Sequence, residues 1–304
     1  MDLVIIGFGE LGQAFYRASK QTEKVRIVGY HDVTVSNLHP TMQFIPSLEA
    51  LLDIAVDGYI LTSPQDKQID IALSLAKTGR KIIMPLPLAI NSVDLETMLH
   101  AIPSTQLIIA PLSVYQKNIR ALRNHLELKI LGTLGIAEFS HVVSELPQKW
   151  YQDLSISGGC RYQLLLPFLC EVLYLFGESE ASFGHYSCAK TSDYANCSLK
   201  LESGMLVSLE TSWGSKETSR ITIELSGEKG NISLDSREAN PVILGSDAPQ
   251  NKYWDASSEG TSYNPIKLFL EDMALNTYLI SPANLLSFQR VIETCEVISE
   301  ATHG

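Results

Sequence analysis

Short apolar runs alternate with segments of helical periodicity over roughly the first 115 residues of this chain. Residues 3–6 read as an apolar strand and 11–20 as a helix. Residues 25–30 form a second strand, and 47–52 a short helix opened by Pro46 and Ser47. A strand at 58–62, a helix at 66–78 and a strand at 81–84 follow. A helix at 92–100, with Ser92 as its expected N-cap, and a strand at 107–110 complete the series. Apolar strands alternating with helices predict a parallel sheet covered on both faces.

The pattern changes after about residue 118. A helix is expected through 119–123, then strands at 136–143, 182–187, 195–201, 205–213 and 220–225. Turn signals such as Glu202-Ser203-Gly204 and Gly227-Glu228-Lys229-Gly230 separate several of them, which predicts a mainly antiparallel sheet. The apolar stretch 161–176, closed by Gly177, reads as a buried helix. Residues 236–262 are polar and read as loop. Two helices, around 266–279 and 283–301, end the chain. A length of 304 residues argues for two domains, drawn here at 1–116 and 117–304. The fold class expected is α/β: a Rossmann domain with a parallel sheet, then an α+β domain with an open sheet.

Composition narrows the function classes. With a net charge of −11, nothing suggests a nucleic-acid surface, which would need a basic patch. The longest apolar runs, such as 164–169, fall far short of the roughly 20 residues a membrane span needs. The first residues lack a basic start and a cleavage site, so a soluble cytoplasmic protein is expected. Cysteines 160, 170, 188, 197 and 295 show no CxxC spacing, and reduced thiols are expected. Histidines 31, 39, 100, 125, 141, 185 and 303 show no ligand spacing, and no metal site is expected. His31 is expected on the adenine side of a nucleotide, and His141 in a strand.

The sharpest signal is the loop Gly7-Phe8-Gly9-Glu10-Leu11-Gly12. A lone GxGxxG is weak, but this one follows an apolar strand and opens a helix. A second strand then ends in Asp32. Gly7 permits the turn, Gly9 lets the backbone approach a pyrophosphate, and Gly12 lets helix and strand pack closely. The helix start offers unpaired N–H groups to the phosphates. Asp32 can accept from the adenosine ribose hydroxyls and would repel a 2′-phosphate. No cation stands in Val33-Thr34-Val35-Ser36, so NAD(H) is favoured over NADP(H). The alternative is a structural glycine turn in a domain that holds no nucleotide.

With that loop in place, the chain resembles the Gfo/Idh/MocA oxidoreductases, the glucose–fructose oxidoreductase and inositol dehydrogenase family, over nearly its whole length. Ser63-Pro64-Gln65 through Ala72-Leu73 resembles the family's T-P-x turn and helix. Residues 81–89 resemble its strand ending in E-K-P-L-A. Gly158-Gly159 through Gly177 resembles its substrate-side helix, and Tyr263-Asn264-Pro265 through Asp272 the start of its C-terminal helical segment. The resemblance implies two domains, a dimer or tetramer built on the second sheet, and a small sugar, polyol or other alcohol or carbonyl substrate. It also implies Ser63, Pro64, Gln68 and Pro87 beside the cofactor.

The departures from the family pattern bear on mechanism. Pro85 and Leu86 stand where the family has its Glu and Lys. Gln163 and Pro167 stand where it places an Asp and a His. A positioned acid or base contributes about 10²–10⁴-fold, and neither Leu86 nor Pro167 transfers a proton. Arg161, Tyr162, Gln163 and Tyr115 are the nearest catalytic candidates. By the family's layout Tyr115 lies on a loop facing the cleft. Glu171 is read as a helix surface residue. Two functions remain open: an NAD(P)-dependent oxidoreductase with altered proton transfer, or a non-catalytic dinucleotide-binding sensor or regulatory subunit. Biliverdin reductases, which resemble this family without its usual lysine and histidine, are a precedent for the first.

Overall fold

In the computed structural model, residues 1–33, 42–145, 149–188, 193–214, 217–237, 242–245, 252–253 and 263–277 are described. They fall into two compact units, the first built on Met1–Tyr115 and the second on Gln116–Tyr263.

The first unit runs β1 (Asp2–Ile6), α1 (Glu10–Ser19), β2 (Arg26–His31), β3 (Gln43–Phe44), α2 (Leu48–Asp53), β4 (Gly58–Leu61), α3 (Gln65–Ala76), β5 (Lys81–Pro85), α4 (Ser92–Ala101) and β6 (Leu107–Ala110). Its six strands are parallel, in the order β3-β2-β1-β4-β5-β6. β4 and β6 are buried at every position, so their uninterrupted apolar runs match a sheet covered on both faces. Ser47 caps α2 by accepting the Ala50 N–H at 3.2 Å, as expected. α4 is capped by Asn91, not Ser92: Asn91 has the extended backbone of an N-cap, and its Oδ1 accepts the Asp94 N–H at 2.8 Å.

The second unit holds α5 (Lys117–Glu127), β7 (Leu134–Val143), the one-turn α6 (Leu154–Ser157), a π-helical turn (Arg161–Leu165) leading into α7 (Leu166–Phe176), and β8 (Ser179–Cys188). The strands β9 (Asp193–Leu201), β10 (Leu206–Trp213), β11 (Arg220–Gly227), β12 (Gly230–Asp235), β13 (Val242–Gly245) and β14 (Lys252–Tyr253) follow. They form an eight-stranded sheet in the order β14-β13-β12-β11-β7-β10-β9-β8. Neighbours are antiparallel except β7 and β10, which run parallel. β9 alternates buried and exposed at every position, so one face is covered and the other is open. Phe168, Leu169, Val172 and Leu175 of α7 share the covered core with Phe139, Leu199, Leu209 and Ile223.

Three expectations are corrected here. Residues 236–262 are not all loop: β13 and β14 lie within them and extend the sheet through short edge pairings. The final helical segment does not stay with the second unit. α8 (Pro265–Ala274) belongs to the first, where Phe269 packs edge-on against Phe15 at 6.4 Å and Tyr115 at 5.7 Å. That helix also stops short of 279, because Asn276 turns left-handed at φ 54°. The helix expected at 283–301 lies outside the described residues.

Candidate functional site

The C-terminal ends of β1, β2, β4 and β5 lie side by side in the parallel sheet, where open α/β sheets bind ligands. There the chain places Gly7–Gly12, Asp32, Ser63–Pro64 and Pro87. Gly7 leaves β1 at φ 93°, and its N–H donates to the His31 carbonyl at 2.9 Å. A Cβ on Gly12 would lie 2.2 Å from the Gly7 carbonyl oxygen, so a side chain there has no room. A Cβ on Gly9 would meet nothing within 4 Å. The space above Gly9 is therefore open, and Gly9 is also the N-cap of α1 with no side chain bonded to the helix start. Backbone N–H groups at an uncapped helix start, beside open space, form a cradle for an anion. Glu10 and Leu11 form the exposed first turn of that helix.

Asp32 is partly buried, and its Oδ2 accepts the Phe8 N–H at 2.5 Å. The Phe8 ring lies 4.5 Å from that of Tyr30, so loop and β2 are joined by both a hydrogen bond and a ring contact. Val33 beyond it is 92% exposed and carries no charge. Thr34, Val35 and Ser36, read with it as free of cations, lie outside the described residues. His31 is buried, with Nδ1 2.8 Å from the Ile45 carbonyl oxygen.

The turn after β4 abuts the glycine loop: Thr62 Oγ1 donates to the Gly7 carbonyl at 2.5 Å. Gln68 is buried, and its Nε2 donates to the Ser63 carbonyl at 2.7 Å. Gln68 Oε1 and Ser63 Oγ are buried with no hydrogen-bond partner among the described residues. Pro87 is buried, and the Leu86–Pro87 peptide is cis. These residues fit a dinucleotide: an anion cradle, an acidic anchor at the end of the next strand, and unsatisfied polar atoms on the turn between.

The catalytic candidates fare differently. Tyr115 is fully buried in the first unit, in a 3-10 turn packed on Phe269. Tyr162 is also buried, with the Arg161 guanidinium 5.1 Å from its ring. Gln163 spends its amide nitrogen on the Ser157 carbonyl at 2.7 Å. Pro167 sits in the first turn of α7. Glu171 is buried rather than on the helix surface, since α7 is covered around most of its circumference. Burial and the Glu171 charge push the Cys170 thiol well above its ordinary range.

Sequence reading missed a polar cluster in the second unit. Asp193 is 2% exposed, and its Oδ2 accepts the Cys160 N–H at 2.6 Å. Burial raises the pKa of its carboxyl, opposed by hydrogen bonds from Cys160 and Tyr186 and by the Arg161 charge. Nothing in local sequence joins these residues: Asp193 begins β9, Tyr186 lies on β8, and Arg161 begins the helical segment. His141, on β7, packs 5.7 Å from the Phe168 ring, and burial lowers its pKa to about 4. Cys160, Cys170 and Cys197 are buried free thiols. Among the described residues no group of three or more His, Cys, Asp or Glu is placed to hold a metal, and no helix is long and apolar enough to cross a membrane.

A glycine loop at the end of β1, an acid at the end of β2 and a six-stranded parallel sheet define a Rossmann unit, here followed by an α+β unit. Residues 119–233 match the GFO/IDH/MocA C-terminal domain family, the family that the chain's motifs resemble. Myo-inositol 2-dehydrogenase of Thermotoga maritima is 22% identical over 263 residues, 80% of this chain and 78% of that protein. Among solved structures, levoglucosan dehydrogenase with NADH and L-sorbose superposes with a TM-score of 0.84 at 15% identity, covering 99% of this chain and 97% of that one. Biliverdin reductase of Synechocystis sp. PCC 6803, with biliverdin and NADP+, gives 0.80 at 14% identity, covering 99% and 98%.

Proposed function

We propose that the protein is an NAD(P)-dependent oxidoreductase of the Gfo/Idh/MocA type that acts on a small alcohol or carbonyl compound with altered proton transfer. The observation that carries this reading is the open space over Gly9 at the uncapped start of α1, flanked by Asp32. The α1 N–H groups would hold the pyrophosphate. Asp32 would hold the adenosine ribose through Oδ1 while Oδ2 fixes the loop. Ser63, Pro64, Gln68 and Pro87 would line the rest of the cofactor's path. A bound nicotinamide supplies the hydride chemistry. Asp32 with the uncharged Val33 favours NAD(H) over NADP(H). Levoglucosan dehydrogenase is named with NADH and biliverdin reductase with NADP+, so the fold accommodates both.

A second reading, a non-catalytic dinucleotide sensor or regulatory subunit, draws support from Leu86, Pro167 and the backbone-tied amide of Gln163. We place the protein in the cytoplasm as a homodimer or homotetramer. Support for assembly comes from the open sheet face, which exposes Ile136, Phe183, Tyr194 and Leu206. Calorimetric titration with NADH and NADPH tests the cofactor reading. Micromolar NADH binding with weaker NADPH binding is expected, and failure of both to bind would overturn it. Loss of NADH absorbance with a panel of carbonyl compounds then separates enzyme from sensor.

A further inference from the structure

The second unit holds a buried carboxyl, Asp193, and a half-buried guanidinium, Arg161, that the dinucleotide reading does not use. The Arg161 guanidinium lies 4.7 Å from the centre of the Tyr186 ring and 5.1 Å from that of Tyr162. Its Nε donates to the Gly158 carbonyl at 3.3 Å. Its Nη1 is buried and has no acceptor among the described residues. Asp193 is close enough to feel the Arg161 charge, yet its Oδ1 is likewise buried with no hydrogen bond. The carboxyl is held by the Cys160 N–H at 2.6 Å, and Gly159 leaves it room, since a Cβ there would lie 2.6 Å from both Asp193 Oδ2 and Tyr186 Oη.

A buried charged donor without an acceptor is costly, and native proteins retain such groups where something else completes them. The guanidinium is planar by its own delocalisation, and the Tyr162 and Tyr186 rings beside it limit where that plane can lie. Its planar fork matches a carboxylate better than any neutral group. The adjacent Asp193 disfavours a doubly charged phosphate. It tolerates a carboxylate, with which a desolvated carboxyl can share a proton. Arg161 also opens the segment that the family resemblance places on the substrate side.

We propose that Arg161 is a specificity-determining residue that binds the carboxylate of an anionic substrate, with Asp193 Oδ1 on the same ligand group. The proposal rests on the oxidoreductase reading for the word substrate, but not for the binding itself.

The test is calorimetry on the full chain loaded with NADH, using pairs that differ only in a carboxylate for a hydroxymethyl: D-glucuronate and D-glucose, D-galacturonate and D-galactose, glycerate and glycerol. At least one acid is expected to bind tenfold or more tightly than its neutral partner. Arg161→Met should bring that ratio to within about twofold of one, and Arg161→Lys should restore part of it. Absence of acid preference in every pair, or its survival in a folded Arg161→Met, overturns the proposal. If Arg161→Met does not fold, Arg161→Lys decides, and an unchanged ratio there also overturns it. If NADH itself fails to bind, the dinucleotide reading falls, and the same pairs titrated into the protein alone still decide the role of Arg161.

Discussion

The Phe8 N–H donates to Asp32 Oδ2 at 2.5 Å, so one carboxylate holds the glycine loop against the end of β2, where the ribose of a dinucleotide would lie. Its removal costs twice, in loop position and in ribose contact. Hydrogen bonds to a charged group contribute about 1.5–3 kcal/mol, equivalent to roughly 10–100-fold in affinity. Asp32→Ala should therefore weaken NADH by at least tenfold in a calorimetric titration and NADPH by less. Equal losses would remove the preference for NAD(H).

Gly9 and Gly12 should separate binding from folding. Gly9→Val points into open space and should leave the melting temperature within a few degrees while abolishing dinucleotide binding. Gly12→Ala drives a methyl into the Gly7 carbonyl and should destabilise the protein by about 1–3 kcal/mol or more, as overpacking does. Thermal unfolding and NADH titration of both variants check this. Retained affinity in Gly9→Val refutes the cradle.

A lysine restored at position 86 should not by itself create a sugar dehydrogenase. Gln163 is tied to the Ser157 carbonyl and Pro167 has no proton to give, so the rest of the family's acid–base set stays absent. Leu86→Lys with NAD+ and either myo-inositol or D-glucose should show no turnover above the parent. Robust NADH production would mean that the substrate-side helix is aligned wrongly.

Burial holds His141 neutral, with a pKa of about 4 against an ordinary 6.5. The unfolded chain binds this proton first, so the stability conferred is complete above pH 6.5 and is lost as pH falls toward 4. His141→Leu should lose less melting temperature between pH 7 and pH 4.5 than the parent. Parallel losses would show that His141 is not a source of acid sensitivity.

The glycine loop, Asp32 and the parallel sheet were legible because each is local: strand, loop, helix and next strand follow in about thirty residues, as this nucleotide unit requires. Strands of the second sheet with several inward apolar residues, such as β10, were legible too. β12 was not, since only Ile232 and Leu234 point inward, and β13 and β14 are short edge strands amid polar sequence. Phe269 reads as any helical core residue, and only its packing on Phe15 and Tyr115 reveals which unit it serves. The Arg161, Tyr186 and Asp193 cluster left no mark because three separate elements supply it.

The parallel pairing of β7 with β10 sets an order on synthesis. β7 is made early in its unit, yet its neighbours on both sides, β10 and β11, emerge only after α7, β8 and β9. Hairpin closure cannot build the centre of this sheet. Until the later strands arrive, both edges of an apolar strand stay open to nascent chains nearby, and the exposed Glu138 midway along it is the charge that discourages them.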